Sequence, residues 1–281
     1  MQLIETVSTW RKALDAERLA GRTVGLVPSM GFLHEGHATL IRRAAAECDV
    51  VGVSLFVNPL QFGASEDLAS YPRDLEADMR LVASCGARYL FAPSVAEMYP
   101  TPIETTVAVA DVASRWEGTS RPGHFDGVAT VVAKLFAQAG ACRAYFGEKD
   151  YQQLAVIRRM AADLSFPVSV VGCPTVRSSD GLALSSRNAY LSASERAVAP
   201  LLYRALLAGA AECQRDGATP ASADAVMASI VAESPLFGLD YAAVVDASTL
   251  APAVSLAGEL RLLIAARLGR ARLIDNLGVT V

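Results

Sequence analysis

Thr23-Val24-Gly25-Leu26-Val27-Pro28-Ser29-Met30-Gly31-Phe32-Leu33-His34-Glu35-Gly36-His37 passes from an apolar, β-branched run into a glycine-bearing loop. A helical pattern follows, with apolar residues at Ala38, Leu40, Ile41, Ala44 and Ala45. This order predicts a short parallel strand, a loop and a helix N-terminus. In α/β sheets that junction binds anions. The first N–H groups of a helix have no partner inside it and carry partial positive charge, so a phosphate can complete them. His34 and His37 fall on one face of the first turn, and both rings can donate N–H bonds to phosphoryl oxygens. Two of the chain's three histidines lie here.

An isolated H-x-x-H also fits plain helix-start residues. A zinc site fits less well, because the metalloprotease pattern needs His at i and i+4 with Glu between them and a further ligand. Neither a Walker loop nor a G-x-G-x-x-G fingerprint occurs in the sequence, so a nucleotide has to be held by another device.

Strand and helix alternate outward from this stretch. Ser8 to Ala20 reads as an amphipathic helix ending at Gly21, and His37 to Cys48 as a second helix. Val50 to Val57 is a nearly continuous apolar run, as in a parallel strand buried on both faces, and it stops at the turn signal Asn58-Pro59. Helix Asp74 to Cys85, strands Arg88 to Phe91 and Thr105 to Val109, helix Asp126 to Ala139, strand Ala144 to Phe146, helix Lys149 to Leu164 and strand Val168 to Val171 continue the series. The pattern predicts a Rossmann-like doubly wound parallel sheet over residues 1–176, with ligands bound beyond the carboxyl ends of its strands. Residues 177–281 read differently. Helices Ser192 to Gln214 and Ser222 to Glu233 precede strands Tyr241 to Val245, Arg261 to Ala265 and Ala271 to Ile274, the order of a smaller α+β domain.

The 281 residues suffice for two domains, and the net charge of −4 leaves no basic stripe, which argues against a nucleic-acid partner. Met1 to Thr6 lacks a basic flank with a long apolar core, and no later run reaches spanning length, so a cytoplasmic protein with no membrane partner is expected. Cys48, Cys85, Cys142, Cys173 and Cys213 form no C-x-x-C pair, as suits reduced structural thiols.

Three further stretches carry polar chemistry. In Asn58-Pro59-Leu60-Gln61-Phe62-Gly63 the Gln61 amide can donate and accept while Phe62 offers an apolar wall; an ordinary turn fits the same residues. Gly147-Glu148-Lys149-Asp150-Tyr151-Gln152-Gln153 repeats the strand, glycine, helix-start order, with Lys149 adding a full charge; Glu148 and Asp150 are also ordinary helix-start acids. Gln153, one turn on, is placed to meet Gln61. Leu184-Ser185-Ser186-Arg187-Asn188 offers hydroxyls and a guanidinium to a polyphosphate, although Ser-Ser-Arg is common in loops. Arg121 to Gly127 reads as a further loop that carries a cation, Arg121, and the last histidine, His124; a turn with a helix N-cap at Asp126 fits the same residues.

The blocks PSMGFLHEGH, FVNPLQFG, YPRD, RPGHFDGV, YFGEKDYQQL and DGLALSSRN, in this order between residues 28 and 188, resemble the pantothenate synthetase (pantoate–beta-alanine ligase) family of the HIGH-type nucleotidyltransferase superfamily. The resemblance implies an ATP-dependent ligase that joins pantoate to β-alanine through a pantoyl adenylate, releasing AMP and pyrophosphate, in pantothenate and coenzyme A biosynthesis. It implies catalytic roles for His37, His34, Lys149 and Arg187. ATP contacts fall to Met30, Gly31, Phe32, Leu33, His34, Glu35, Gly36 and His37, to Gly147, Glu148, Lys149 and Asp150, and to Val176, Leu184, Ser185, Ser186 and Arg187. Gln61 and Gln153 match the family's pantoate-binding glutamines, with Gln61 also near β-alanine, and Asp78 resembles an acid of its magnesium site. The family further implies Mg²⁺, a homodimer and a small C-terminal domain acting as a lid. Leu60 and Leu184 stand where many relatives have methionine, exchanges that keep size and apolarity.

Overall fold

The run from Val24 to Ser29 is a central strand of a six-stranded sheet. The computed structural model that contains it describes residues 1–63, 68–69 and 71–281. Its contacts divide the chain into two units, residues 1–148 with 153–174, and residues 149–152 with 175–281. The first unit begins β1 (Gln2–Ile4), α1 (Val7–Leu19), β2 (Val24–Ser29), α2 (Glu35–Glu47), β3 (Val50–Leu55), α3 (Leu75–Ser84) and β4 (Tyr89–Phe91). Three single helical turns follow, α4 (Val95–Met98), α5 (Asp111–Ser114) and α6 (Glu117–Ser120). Then come α7 (His124–Ala139), β5 (Cys142–Gly147), α8 (Tyr151–Asp163) and β6 (Val168–Cys173), the first two residues of α8 clustering with the second unit.

All six strands are parallel, in the order β1-β4-β3-β2-β5-β6. β2 pairs with β3 from Val24↔Val50 to Ser29↔Leu55 and with β5 through Gly25↔Arg143 and Leu26↔Ala144. Chain order therefore reverses between β2 and β5, and the carboxyl ends of these two strands flank the crevice where a doubly wound sheet binds ligand. Helices cover both faces. Trp10, Leu14, Phe136, Leu154, Ile157 and Met160 carry α1, α7 and α8 on one core, while Ala38, Ile41, Ala44 and Val82 carry α2 and α3 on the other. With both faces covered, β3 is buried at every position, which is why its sequence shows no alternation.

The second unit contains α9 (Ala193–Val198), α10 (Leu201–Cys213), α11 (Pro220–Val231) and an antiparallel sheet of β7 (Phe237–Asp246), β8 (Glu259–Leu268) and β9 (Ala271–Thr280). Leu202, Leu206 and Met227 pack the helices onto Val244, Leu262 and Ile264.

Several expected elements differ. Thr105 to Val109 forms no strand, since Val107 N–H donates to the Thr130 hydroxyl on α7 (2.9 Å) instead of to a ladder. The helix expected from Ser192 to Gln214 is two, broken where Pro200 has no N–H to give the preceding turn. Gly123 in the left-handed region, not Asp126, occupies the N-cap of α7. β7, β8 and β9 each extend to ten residues, and β1 was not evident from periodicity. Among the described residues no helix is long and apolar enough to cross a membrane.

Candidate active site

The loop between β2 and α2 has a shape that its own sequence only partly explains. Gly31 sits at φ 90° and Phe32 at φ 51°, both in the left-handed region; glycine adopts it freely and phenylalanine does not. Asp78, reaching from α3, holds the strained turn. Its Oδ2 accepts from Phe32 N–H (2.9 Å) and its Oδ1 from Leu33 N–H (2.7 Å). A Cβ on Gly31 would stand 3.0 Å from Asp78 Oδ2, so the approach also requires glycine there. Asp78 is 4% exposed. Burial pushes its carboxyl pKa up, opposed by the two backbone donors and helped by the neighbouring Asp74 charge. Beside the loop, Met30, Gly31, Phe56, Arg73, Asp78 and Ser94 border a cavity of about 290 Å³.

His34 is the N-cap of α2, and its Nδ1 accepts from Gly36 N–H (3.1 Å). His37 Nδ1 in turn accepts from His34 N–H (3.3 Å). The pair is a reciprocal capping box in which two imidazoles replace the usual hydroxyl and carboxylate. A ring nitrogen that accepts carries no proton, so each neutral ring bears its proton on Nε2 and presents that nitrogen as a donor. The ring centroids are 4.2 Å apart, which sets two donors side by side at the positive end of α2. Glu35, next to them, turns outward to pair with Arg42, whose hydrogen bond lowers the Glu35 pKa.

Gln61 closes a 3-10 turn, Pro59–Gln61, beyond β3. Its Oε1 accepts from Asn58 Nδ2 (3.1 Å) and its Nε2 donates to Met30 Sδ (3.1 Å), which joins this turn to the β2–α2 loop. Asn58 Nδ2 also donates to Gly127 O (3.1 Å), and Asn58 Oδ1 accepts from Tyr99 Oη (2.8 Å), whose pKa burial raises to about 12. Arg121 Nη1 lies 2.9 Å from His124 Nε2, and because a guanidinium only donates, the His124 proton is on Nδ1, donating to Gln61 O at 2.8 Å. A Cβ on Gly127 would fall 2.3 Å from Leu60 O, so glycine lets α7 meet this turn backbone to backbone. The stretch from Arg121 to Gly127 thus holds Gln61 in place, a function its loop-like sequence does not reveal. Gln153 lies partly buried on the first turn of α8. The Gln61 amide bonds within the protein go to Asn58 and Met30. Gly147 is the last residue of β5, with Glu148 directly after it, at the strand end flanking the crevice.

The remaining candidates belong to the second unit. Lys149 Nζ lies 3.3 Å from Asp150 Oδ1. Val176 O accepts from Leu184 N–H (2.9 Å) across a hairpin closed by the Arg177↔Ala183 bridge. Directly after it, Ser185 caps the short turn Ser186–Tyr190, its Oγ accepting from Arg187 N–H (3.3 Å). Val176, Leu184, Ser185, Ser186 and Arg187 are thereby gathered on one hairpin and turn.

Asp78, the acid that the resemblance places near magnesium, gives each of its oxygens to one backbone donor of the loop. Among the described residues no group of three or more His, Cys, Asp or Glu side chains is placed to hold a metal ion.

A six-stranded parallel sheet with helices on both faces, its strand order reversing between β2 and β5, defines a Rossmann-like α/β protein. The sequence model of the Pantoate-beta-alanine ligase family matches residues 2–278, and the chain belongs to that family. It is similar to the pantothenate synthetase of Agrobacterium fabrum, 51% identical over 277 residues, which are 98% of this chain and 95% of that protein. The crystal structure of pantothenate synthetase from Thermus thermophilus superposes with a TM-score of 0.95 at 51% identity, covering 100% of both chains. That of pantoate-beta-alanine ligase from Francisella tularensis, complexed with beta-gamma ATP and beta-alanine, gives 0.81 at 33% identity, covering 99% of this chain and 97% of that one.

Proposed function

We propose that this ligase couples pantoate to β-alanine in two steps driven by ATP. Pantoate's carboxylate attacks the α-phosphorus, the bond to the bridging oxygen breaks, and pyrophosphate leaves a pantoyl adenylate behind. The amine of β-alanine then attacks the acyl carbon, loses a proton and expels AMP, giving pantothenate. Negative charge gathers on phosphate oxygens in the first step, so positioned donors supply most of the catalysis.

The observation that carries this reading is the histidine capping box. Because each Nδ1 is engaged with backbone N–H, each Nε2 is the proton-bearing nitrogen, and the two rings act as fixed donors at a helix N-terminus. His37 is assigned as donor to the α-phosphate and His34 as its neighbour. Gly31, Phe32 and Leu33 shape the loop, while Met30, Gly147, Asp150, Val176 and Leu184 line ATP. Lys149, Ser185, Ser186 and Arg187 are assigned to phosphate oxygens, and Gln61 and Gln153 to pantoate. A magnesium ion carried by the triphosphate belongs to the substrate.

Isotope exchange between pyrophosphate and ATP tests the scheme. Exchange should need pantoate alone, and AMP release should need pantoate and β-alanine together. Exchange without pantoate, or AMP formation only in a single concerted step, would remove the adenylate from the scheme.

A further inference from the structure

β9 carries two adjacent polar residues, Asp275 and Asn276, that are 5% and 4% exposed. Strand alternation sends their side chains to opposite faces of the sheet. On the face that bears the helices, Asp275 takes Arg177 in a doubly bonded pair of 2.6 and 2.9 Å. The same guanidinium stacks on Tyr203 of α10 at 3.8 Å and donates to Gly181 O at 3.1 Å. It therefore locks the hairpin that leads into Ser185, Ser186 and Arg187. On the other face, Asn276 Nδ2 donates to the backbone carbonyl of Lys149 (2.8 Å), and Asn276 Oδ1 accepts from Arg261 Nε (2.7 Å). Arg261 in turn lies over the Tyr151 ring at 3.9 Å, and Tyr151 Oη donates to Ala247 O (2.9 Å). Asp275 Oδ1 also accepts from Asn276 N–H (2.8 Å), so both grips share one peptide.

Lysine is a long, flexible side chain, and only its backbone root can be fixed by packing. A cation that must meet a phosphate together with a second group needs that root set with sub-ångström precision, because a displacement of about 1 Å can cost about 10²-fold in rate. The Lys149 carbonyl is held by a buried amide whose donor and acceptor sides are both used, on the same strand that holds the Ser185–Arg187 hairpin.

We propose that Asp275–Asn276 is a positioning pair that fixes Lys149 relative to Ser185, Ser186 and Arg187, so that they meet a polyphosphate as one clamp. The proposal rests on the reading of those residues as phosphate ligands. Neither Asp275 nor Asn276 touches substrate. Their effect runs through Lys149 on one side and the hairpin on the other.

The test is Asn276→Ala in the full chain, made alone and on a Lys149→Ala background. Pantoate-dependent pyrophosphate exchange should fall about tenfold or more in kcat, with KM for pantoate within about twofold, when a positioned charge is displaced. On the Lys149→Ala background the same substitution should cost less than about twofold, since its effect passes through the missing side chain. An equal loss on both backgrounds, or no loss on either, overturns the proposal. Asn276→Asp keeps the size and the acceptor for Arg261 but sets a charged acceptor oxygen in place of the donor to the Lys149 carbonyl, so it should reproduce the loss if the alanine variant folds poorly. Hydrogen exchange of amides 149–152 without ligand separates the anchor from the chemistry. Exchange faster by about tenfold in Asn276→Ala is expected for a loosened segment, and unchanged exchange overturns the anchor whatever the enzyme does. A wild-type chain without pantoate-dependent pyrophosphate exchange would instead sink the functional reading, while the amide exchange still decides the anchor.

Discussion

The β2–α2 loop of the first unit and the Lys149 and Ser185–Arg187 segments of the second are assigned to the same kind of ligand, yet they are held by different means. In the loop, hydrogen bonds two or three residues apart cap α2, and one buried carboxylate receives the backbone of the turn. In the second unit, a buried ion pair, a side-chain amide and stacked guanidinium groups hold segments that are 98 and 127 positions from their partners. A helix start supplies anion donors through its own backbone, so little more than a cap is needed. Side chains such as Lys149 and Arg187 carry their charge at the end of a long flexible stem, and a rigid strand beneath them has to fix where that charge is presented.

The largest effect expected from breaking that contrast is on stability. Asp275→Asn leaves Arg177 without its counter-charge in a site where the two side chains are 15% and 4% exposed. It should lower the free energy of unfolding by about 3 kcal/mol or more, read from urea denaturation. A change below about 1 kcal/mol would show that the pair is not what holds the hairpin. His37→Ala acts the other way round, on turnover and not on the fold. Losing one preorganised donor should reduce kcat by about 10²–10³-fold, whereas the lost cap interaction should cost only about 1 kcal/mol. Untouched turnover would end the phosphate-donor role.

Gln61→Ala should be milder and more selective, raising KM for pantoate about tenfold through the lost amide bonds and leaving KM for ATP within about twofold. Equal losses for both substrates would move Gln61 out of a pantoate pocket. The smallest effect concerns pH and the turn after β7, whose Ala247 carbonyl receives Tyr151. The Asp246 carboxyl is lowered to about 2 by hydrogen bonds from the Ser248 and Thr249 hydroxyls and then by their backbone N–H groups. The folded state therefore holds this proton less tightly than the unfolded chain does. The stabilisation is complete above the ordinary value of 3.8 and disappears as pH falls through about 2. Asp246→Asn should flatten the stability profile between those pH values, as measured by urea midpoints; an unchanged slope would place the acid sensitivity elsewhere.

Much of the fold class was legible in the sequence, because periodicity is local. The unbroken apolar run at Val50 to Leu55 announced a strand covered on both faces, and the helices ahead of the strands beyond residue 176 announced the smaller α+β portion. Thr105 to Val109 misled because a β-favouring composition does not supply a partner strand, and here a threonine side chain took the backbone bond instead. The histidine pair was visible for the same reason as the strands: strand, loop and helix start are contiguous, and the anion-binding property of the junction belongs to the backbone itself.

What the tertiary structure alone decided are the supports. Asp78 reaching Phe32 across 46 positions, His124 reaching Gln61 across 63, and Asp275 and Asn276 reaching Arg177 and Lys149 leave no pattern in the sequence around them. Each is a single polar residue whose partner is brought near only when the sheets close, and whether its carboxylate or amide serves a loop, a ligand or a metal depends on which donors fill its oxygens after burial.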